Sequence, residues 1–508
     1  MPEGNPKYRR ALFAAHMRTD SAHADPVAVS SAPVGGAGDV ALPRAAAPWT
    51  RLALPRLRVE LGPLAGRLAL ASLVLGAFAL VAFAASRPSI LVPRSNLAFP
   101  AWEAGPLHGL FSGLPTNPVT LTYGLSALVV AMLLAYGVVL ASARTLSMRA
   151  IVVCIVALHT ILLMGPPVQL TDLFNYLGYA RLGGLHALNP YTHVIAQELH
   201  DPVYRFTTWH NLHSPYGPLF TAATYLLPLG SLSLSYWLLK VLTVLASLGF
   251  LALVWQCARE LGRDPRYALV FVAFNPIYLV YAVGGFHNDF FMLVPSMAAI
   301  ALLLAHRDRS AGAALMLAVA VKFSAILLLP FLIVAVRPAR RRMLQILEGA
   351  GLAAIPLAAL SLAVFGFSIP NLQDQSTLLT DFSIPNVLGL LLRVGGGTPM
   401  LLRVIDVAVL TAVIVLLRQR GDWLSRAGWA TLALIVSLAW LMPWYVIWLA
   451  PLAALGSSVR LRRATLALTL FLVLTFVPYT GFYLSNHGIS PLATPAGQVS
   501  RALQRKLS

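Results

Sequence analysis

Eleven stretches of the chain are apolar over about the 20 residues that a helix needs to cross the hydrocarbon core of a bilayer, or nearly so. They are residues 67–85, 119–141, 150–169, 234–257, 267–283, 288–305, 312–336, 343–366, 399–417, 427–442 and 464–484, and shorter apolar runs lie at 216–230 and 444–456. Backbone polar groups in hydrocarbon must be bonded within the protein, so runs of this kind fold as helices. Only 11% of the 508 residues are charged, where a soluble domain carries about 25%. The chain therefore cannot cover a water-facing surface of its size. It reads as an all-α polytopic membrane protein with about 11 to 13 hydrophobic helices.

The charge is scarce but lopsided: 37 Lys and Arg against 18 Asp and Glu, a formal +19. A soluble nucleic-acid binder would cluster its bases on a polar face, so no nucleic-acid partner is expected. In a membrane protein the bases mark cytoplasmic loops. Arg144 and Arg149, Arg259, Arg263 and Arg266, the run Arg337 to Arg342, Arg418 with Arg420, and Arg460, Arg462 and Arg463 all read as inside. The polar segment 170–215, after the third span, then becomes a large external loop. Residues 1–60 are rich in Ala, Pro, Ser and Gly and read as a disordered cytoplasmic arm with no cleaved signal peptide. The multi-span domain covers 61–485, and 486–508 form a C-terminal tail. Two cysteines, Cys154 and Cys257, lie within apolar runs and read as packing residues.

These loop assignments conflict if every run crosses once. The simplest resolution has 216–230 dipping part-way and returning, and 312–336 re-entering around Lys322. Broken segments at membrane depth are tolerated where they line a protein-enclosed cavity, and they mark binding sites.

Eighteen carboxylates can be sorted by position. Five lie in the N-terminal arm or at its edge; Glu260, Asp264, Asp308, Glu348 and Asp422 accompany cytoplasmic arginines; Asp406 sits one helical turn from Arg403, as an i,i+3 pair would. Seven remain outside: Glu103, Asp172, Glu198, Asp201, Asp289, Asp374 and Asp381. Asp172 follows a span directly, at the interface, where a general base can meet a lipid-borne substrate. A helix N-cap at Thr171 or Asp172 is the alternative. Asp289 closes the turn Gly284-Gly285-Phe286-His287-Asn288-Asp289, which also suits a cap; the triplet lacks the further ligands a metal site needs, so no metal and no cofactor is expected.

The external segment offers aromatic and hydrogen-bonding side chains suited to sugars, among them Tyr176, Asn189, Tyr191 and Tyr216, with an interfacial aromatic belt as the alternative. Lys322 stands in the middle of an apolar run, where an ammonium faces a cavity or an anion unless it snorkels.

Taken in order, Asp172 and Tyr176, Asn189-Pro190-Tyr191, Ser214-Pro215-Tyr216-Gly217-Pro218, Gly285-Phe286-His287-Asn288-Asp289, the Lys322 segment ending in Pro330, and Pro443-Trp444-Tyr445-Val446-Ile447-Trp448 resemble the membrane glycosyltransferases of the GT-C superfamily. The resemblance is strongest to bacterial polyprenol-phosphate-mannose-dependent α-(1→6)-mannosyltransferases and covers roughly 150–455. It implies a GT-C fold in the cytoplasmic membrane, with the active site outside. It also implies inverting transfer of mannose from a polyprenyl-phosphate donor to a glycan or glycolipid acceptor. The family's catalytic carboxylate follows a span in the first large external loop and carries over to Asp172, ahead of Asp289. The leaving phosphate needs cations; Lys322 is the candidate, assisted by Arg181 or His287. Asn288, Trp444 and Tyr445 join the substrate-binding candidates. The same fold with another sugar donor, or a transporter of lipid-linked substrates, are the competing readings.

Overall fold

The computed structural model describes residues 61–508, the side chains of Gln373 and Asp374 excepted; the arm expected over 1–60 lies outside the described residues. Among these, every regular element is helical. Five helices are long and apolar enough to cross a membrane: Pro63–Ser86, Pro118–Ala141, Leu232–Glu260, Arg340–Phe365 and Pro399–Arg418. The pairs Pro265–Ala273 with Ile277–Val283 and Val459–Phe476 with Pro478–Asn486 are bent by 56° and 52°, and raise the number to seven when each counts as one span. Five shorter apolar helices complete the set: Met148–Met164, Pro218–Leu229, Asp289–Leu304, Phe323–Ala335 and Pro443–Leu455. The protein is an all-α polytopic membrane protein.

Each break has a local cause. Between Ala273 and Ile277, Pro276 removes a donor, and Asn275 compensates. Its Oδ1 accepts from the Ile277 N–H at 2.9 Å and its Nδ2 donates to Thr469 Oγ1 at 3.0 Å. The run 312–336 is interrupted at Lys322, whose backbone is extended (φ −153°, ψ 120°) between the helix Asp308–Val321 and the following turn. Arg342 Nε lies 2.7 Å from Asp308 Oδ2, and Arg309 Nε 2.8 Å from Glu348 Oε2. The chain thus leaves and returns to one end of the bundle, with Lys322 at the far turn. A Cβ on Gly349 would lie 1.8 Å from the Arg309 carbonyl oxygen, so the helix Arg340–Phe365 packs backbone to backbone against Asp308–Val321. It carries the chain to the opposite end, where the Phe365 carbonyl accepts from Asn189 Nδ2 at 2.9 Å. Segment 170–215 therefore caps the end that holds Lys322.

The helix Pro399–Arg418 buries none of its residues, as a lipid-facing span does. The pair expected between Arg403 and Asp406 does not form; both side chains are exposed. The base precedes the acid here, the poorer order for such pairs along the helix dipole. At the other extreme, Lys240 is wholly buried within Leu232–Glu260. Its Nζ donates to the Gly165 carbonyl at 2.7 Å and sits 4.0 Å from the centroid of the Trp237 ring, which satisfies the ammonium away from water. The C-terminal residues expected as a tail instead form the helix Pro495–Leu507. It folds back so that the Asn211 N–H donates to the Leu507 carbonyl at 2.9 Å.

Candidate active site

Two helix N-termini face one cavity of about 520 Å³. The first belongs to Asp172–Gly184. Asp172, Asn175, Tyr176 and Tyr179 follow the i, i+3, i+4, i+7 spacing that puts them on one face, and all four line the cavity. Neither capping alternative holds. Thr171 occupies the N-cap position without a side-chain cap, its hydroxyl lying 2.5 Å from Thr208 Oγ1. Asp172 is the first helical residue, and among the described residues no other side chain bonds its carboxylate. A carboxylate there is favoured by the helix dipole but remains free to act.

The second N-terminus begins at Asp289, after the turn 284–288. Its carboxylate is fully buried and does not cap the helix either: Oδ1 accepts from Lys322 Nζ at 2.8 Å and from Trp448 Nε1 at 2.6 Å. The ammonium also lies 4.9 Å from the Trp448 ring centroid and 5.5 Å from that of Tyr445. His287 stacks on Trp444 with centroids 3.9 Å apart, and its Nδ1 is 3.4 Å from the Tyr176 hydroxyl. That hydroxyl in turn donates to Asn288 Oδ1 at 3.4 Å. The Lys322 turn is fixed from behind by Gly217, whose N–H donates to the Val321 carbonyl at 3.0 Å. A Cβ at Gly217 would lie 2.3 Å from the Ala320 carbonyl oxygen, so the approach demands glycine.

The electrostatics separate the two aspartates. Burial pushes the Asp172 carboxyl up to about 6, with Lys322 pulling it down and Asp289 pushing it up. Asp172 is deep in the protein yet keeps contact with the cavity, the setting of a base poised near neutral pH. Burial drives His287 down to about 3, against Asp289 and with Lys322, so its imidazole is neutral. Among the described residues, Asn175 Nδ2, His287 Nε2, Asn288 Nδ2, Asp289 Oδ2 and Ser324 Oγ are buried without partners, and all five residues line this cavity. Buried polar atoms are ordinarily bonded, so a concentration of orphans around one cavity is the mark of a polar ligand site.

Of the residues singled out in the sequence, Asp172, Tyr176, Tyr216, His287, Asn288, Asp289, Lys322, Trp444 and Tyr445 come together here. Three do not. Arg181 Nε lies 2.8 and 2.9 Å from the two oxygens of Asp201, which also takes His186 Nε2 at 2.8 Å. Burial pushes Asp201 up, but these bonds prevail and hold it below the ordinary carboxylate range. Arg181 is thus engaged within segment 170–215 rather than facing the cavity. Asn189 bonds the Phe365 carbonyl and, through Oδ1, the Tyr191 N–H at 3.0 Å. Tyr191 donates to the Tyr216 carbonyl at 2.8 Å. Both brace segment 170–215. Glu103, buried beside Lys240, is pushed up to about 8 by burial with Lys240 opposing, and does not line the cavity.

The cavity also contains residues that sequence reasoning passed over. Asn175 and Trp448 were accessible to it, one turn beyond Asp172 and Trp444 on their helices. Thr208, Trp209 and Trp440 carried no local signal, being brought in by the return of segment 170–215 and by the stretch after Trp423–Ser437.

A family model described as alpha-(1->6)-mannopyranosyltransferase, N-terminal domain, matches residues 66–338, more than half of the chain. That range includes Asp172, the 284–289 turn and Lys322. Alpha-(1->6)-mannopyranosyltransferase A of Mycobacterium tuberculosis is 29% identical over 397 residues, covering 70% of this chain and 74% of the relative. The protein of the same name from Corynebacterium glutamicum is 26% identical over 188 residues, 34% of this chain and 36% of the relative. No solved structure matches.

Proposed function

The chain belongs to the alpha-(1->6)-mannopyranosyltransferase family, and from that premise we propose that it is a membrane mannosyltransferase. It uses a polyprenyl-phosphate mannose donor, a saccharide or glycolipid acceptor and Asp172 as general base. The observation that carries this reading is the pairing of a cavity-facing Asp172, bonded by no other side chain among the described residues, with a second carboxylate ion-paired to Lys322.

In the proposed step the acceptor hydroxyl attacks the anomeric carbon while Asp172 takes its proton. The bond from that carbon to the phosphate oxygen breaks on the opposite side, so the configuration inverts and the lipid phosphate leaves with the electron pair. Lys322 retains donors beyond the one given to Asp289 and offers positive charge to the departing anion. The Asn288 amide offers hydrogens to the sugar or phosphate oxygens, and the unpartnered Nε2 of neutral His287 is placed to pair with a sugar hydroxyl.

A small apolar recess of about 40 Å³ adjoins the main cavity and marks the apolar side from which a hydrocarbon tail would enter. It is lined by Met292, Met297, Ile300, Leu328 and Pro451 among others, and shares Ser324, Leu434 and Trp448 with the main cavity. A tail approaching from that side would bring its phosphate into the main cavity, where Lys322 lies. The basic loops support an orientation with the cavity on the outer face of the cytoplasmic membrane.

A panel of polyprenyl-phosphate sugars offered to the purified protein tests this reading. Transfer from the mannose donor, with little from the arabinose or glucose donors, is the expected result. Absence of transfer from the mannose donor, with transfer from another, overturns the choice of sugar; absence of transfer from all overturns the reading.

A further inference from the structure

We infer that Asn175, Trp209 and Trp440 form the subsite for the acceptor, a neutral hexopyranose ring stacked on tryptophan and hydrogen-bonded through the Asn175 amide. This deepens the mannosyltransferase reading and rests on it. Asn175 is 1% exposed, and its orientation is set: Oδ1 accepts from the backbone N–H groups of Thr208 at 3.3 Å and Trp209 at 3.4 Å. Reversing the amide would set donor against donor, so Nδ2 is the group left over, buried and without a partner at the cavity wall. It lies one helical turn from Asp172. A sugar whose attacking hydroxyl meets Asp172 therefore has a neighbouring hydroxyl within the reach of a group that has only hydrogens to give.

The aromatic half of the subsite is equally fixed. Trp209 and Trp440 meet edge to face, with centroids 5.9 Å apart and planes at 80°. Leu212, Leu378, Leu503 and Leu507 pack with them as one apolar cluster. The Thr380 N–H donates to the Ala439 carbonyl at 3.1 Å and holds the backbone next to Trp440. A pyranose presents C–H groups on its faces and hydroxyls around its edge, which is what indole faces beside an unpartnered amide donor accept. Among the described residues no Lys or Arg other than Lys322 lines the cavity, and Lys322 is held by Asp289. The tryptophan side is thus suited to an uncharged ligand. Trp209, Trp440 and Asn175 do not line the apolar recess, whereas Ser324 and Trp448 do. Inversion requires the acceptor and the leaving phosphate on opposite sides of the anomeric carbon, so a donor phosphate at Lys322 leaves this wall to the acceptor.

Steady-state kinetics of the full-length protein, with polyprenyl-phosphate mannose as donor and an alkyl α-mannoside as acceptor, provides the test. Trp209→Ala and Asn175→Ala are each expected to raise the acceptor KM by about tenfold, the scale of one lost stacking or hydrogen-bonding contact, while the donor KM stays within about twofold. If the alanine variant at Trp209 does not fold, Trp209→Leu keeps apolar bulk without the ring and takes its place. An unchanged acceptor KM overturns the subsite, and so does a donor KM that rises in step, since this wall would then hold the donor. Failure of the unaltered protein to transfer mannose at all is a different result, and overturns the mannosyltransferase reading beneath it.

Discussion

Lys322 and Asp289 are 33 residues apart in sequence, yet the ammonium of one lies 2.8 Å from a carboxylate oxygen of the other. The pair joins the turn of a broken helix pair to the first residue of Asp289–Leu304. It gives the two aspartates of the cavity different work: Asp289 is ion-paired and bonded to Trp448, whereas among the described residues no other side chain bonds Asp172.

Removing one member of this pair strands the other charge in a buried setting. Lys322→Met is expected to lower stability by about 3 kcal/mol. The double variant Lys322→Met with Asp289→Asn, which leaves no buried charge behind, recovers most of that loss without recovering transfer. Thermal unfolding in detergent alongside turnover checks both halves.

The pH dependence follows from the Asp172 carboxyl, pushed up to about 6 by burial. A base acts when deprotonated, so transfer is expected to fall about tenfold per pH unit below pH 6 and to level off above it. Lys322 pulls this value down and Asp289 pushes it up. The acid limb therefore moves to higher pH in Lys322→Met and to lower pH in Asp289→Asn. His287, held at about 3 by burial, contributes no limb near neutral pH. Rate–pH profiles of the three proteins decide the order of the shifts.

Asp172 also bears on stability. Its folded carboxyl titrates near 6 rather than near the ordinary 3.8, so folding favours the protonated form. That contribution is fully present below about pH 3.8 and is lost as the pH rises to 6; above 6 the ionised group opposes folding. Asp172→Asn is therefore expected to stabilise the protein at pH 7.5, by up to about 3 kcal/mol, and to make little difference at pH 4. Melting curves at the two pH values measure it.

Gly217 holds the Lys322 turn by close approach rather than by an unusual dihedral angle, its φ being −66°. Gly217→Ala drives a methyl into the Ala320 carbonyl and is expected to cost about 1–3 kcal/mol. It also weakens donor use, because the segment it displaces carries Lys322. Donor KM and thermal midpoint are the readouts; the same change at Gly249, inside the helix Leu232–Glu260 with nothing within 4 Å of an added Cβ, is the control expected to leave donor KM unaltered and the midpoint equal or higher.

The residues that declared themselves in sequence did so by breaking an apolar pattern. Asp172 stood at the end of a run, Lys322 in the middle of one, and the 284–289 turn between two. A charge in hydrocarbon is costly enough that position alone marks it. The same logic found Lys322 and passed over Lys240, which carries an equal charge in an equally apolar run but satisfies it on Gly165 and the Trp237 ring. Arg181 showed the opposite failure. Its charge lay in the right segment, but Asp201, twenty residues on, had already engaged it. Trp209 and Trp440 were beyond reach because their meeting depends on the path of irregular chain, for which no periodicity exists. The fold class was legible since hydrocarbon thickness dictates helix length, and the break at Lys322 showed in the conflict between loop assignments; the bends at Pro276 and Pro478 were not legible, because these prolines divide runs that composition alone leaves continuous.

The most direct measurement is mannose transfer from polyprenyl-phosphate mannose by the purified protein and by Asp172→Asn, with the same acceptor and pH. The substitution keeps the shape of the side chain and removes its basicity. A loss of at least about a hundredfold in turnover, with the folded protein intact and donor KM little changed, is the expected outcome. Turnover within tenfold of the unaltered enzyme would contradict the assignment of Asp172 as the base.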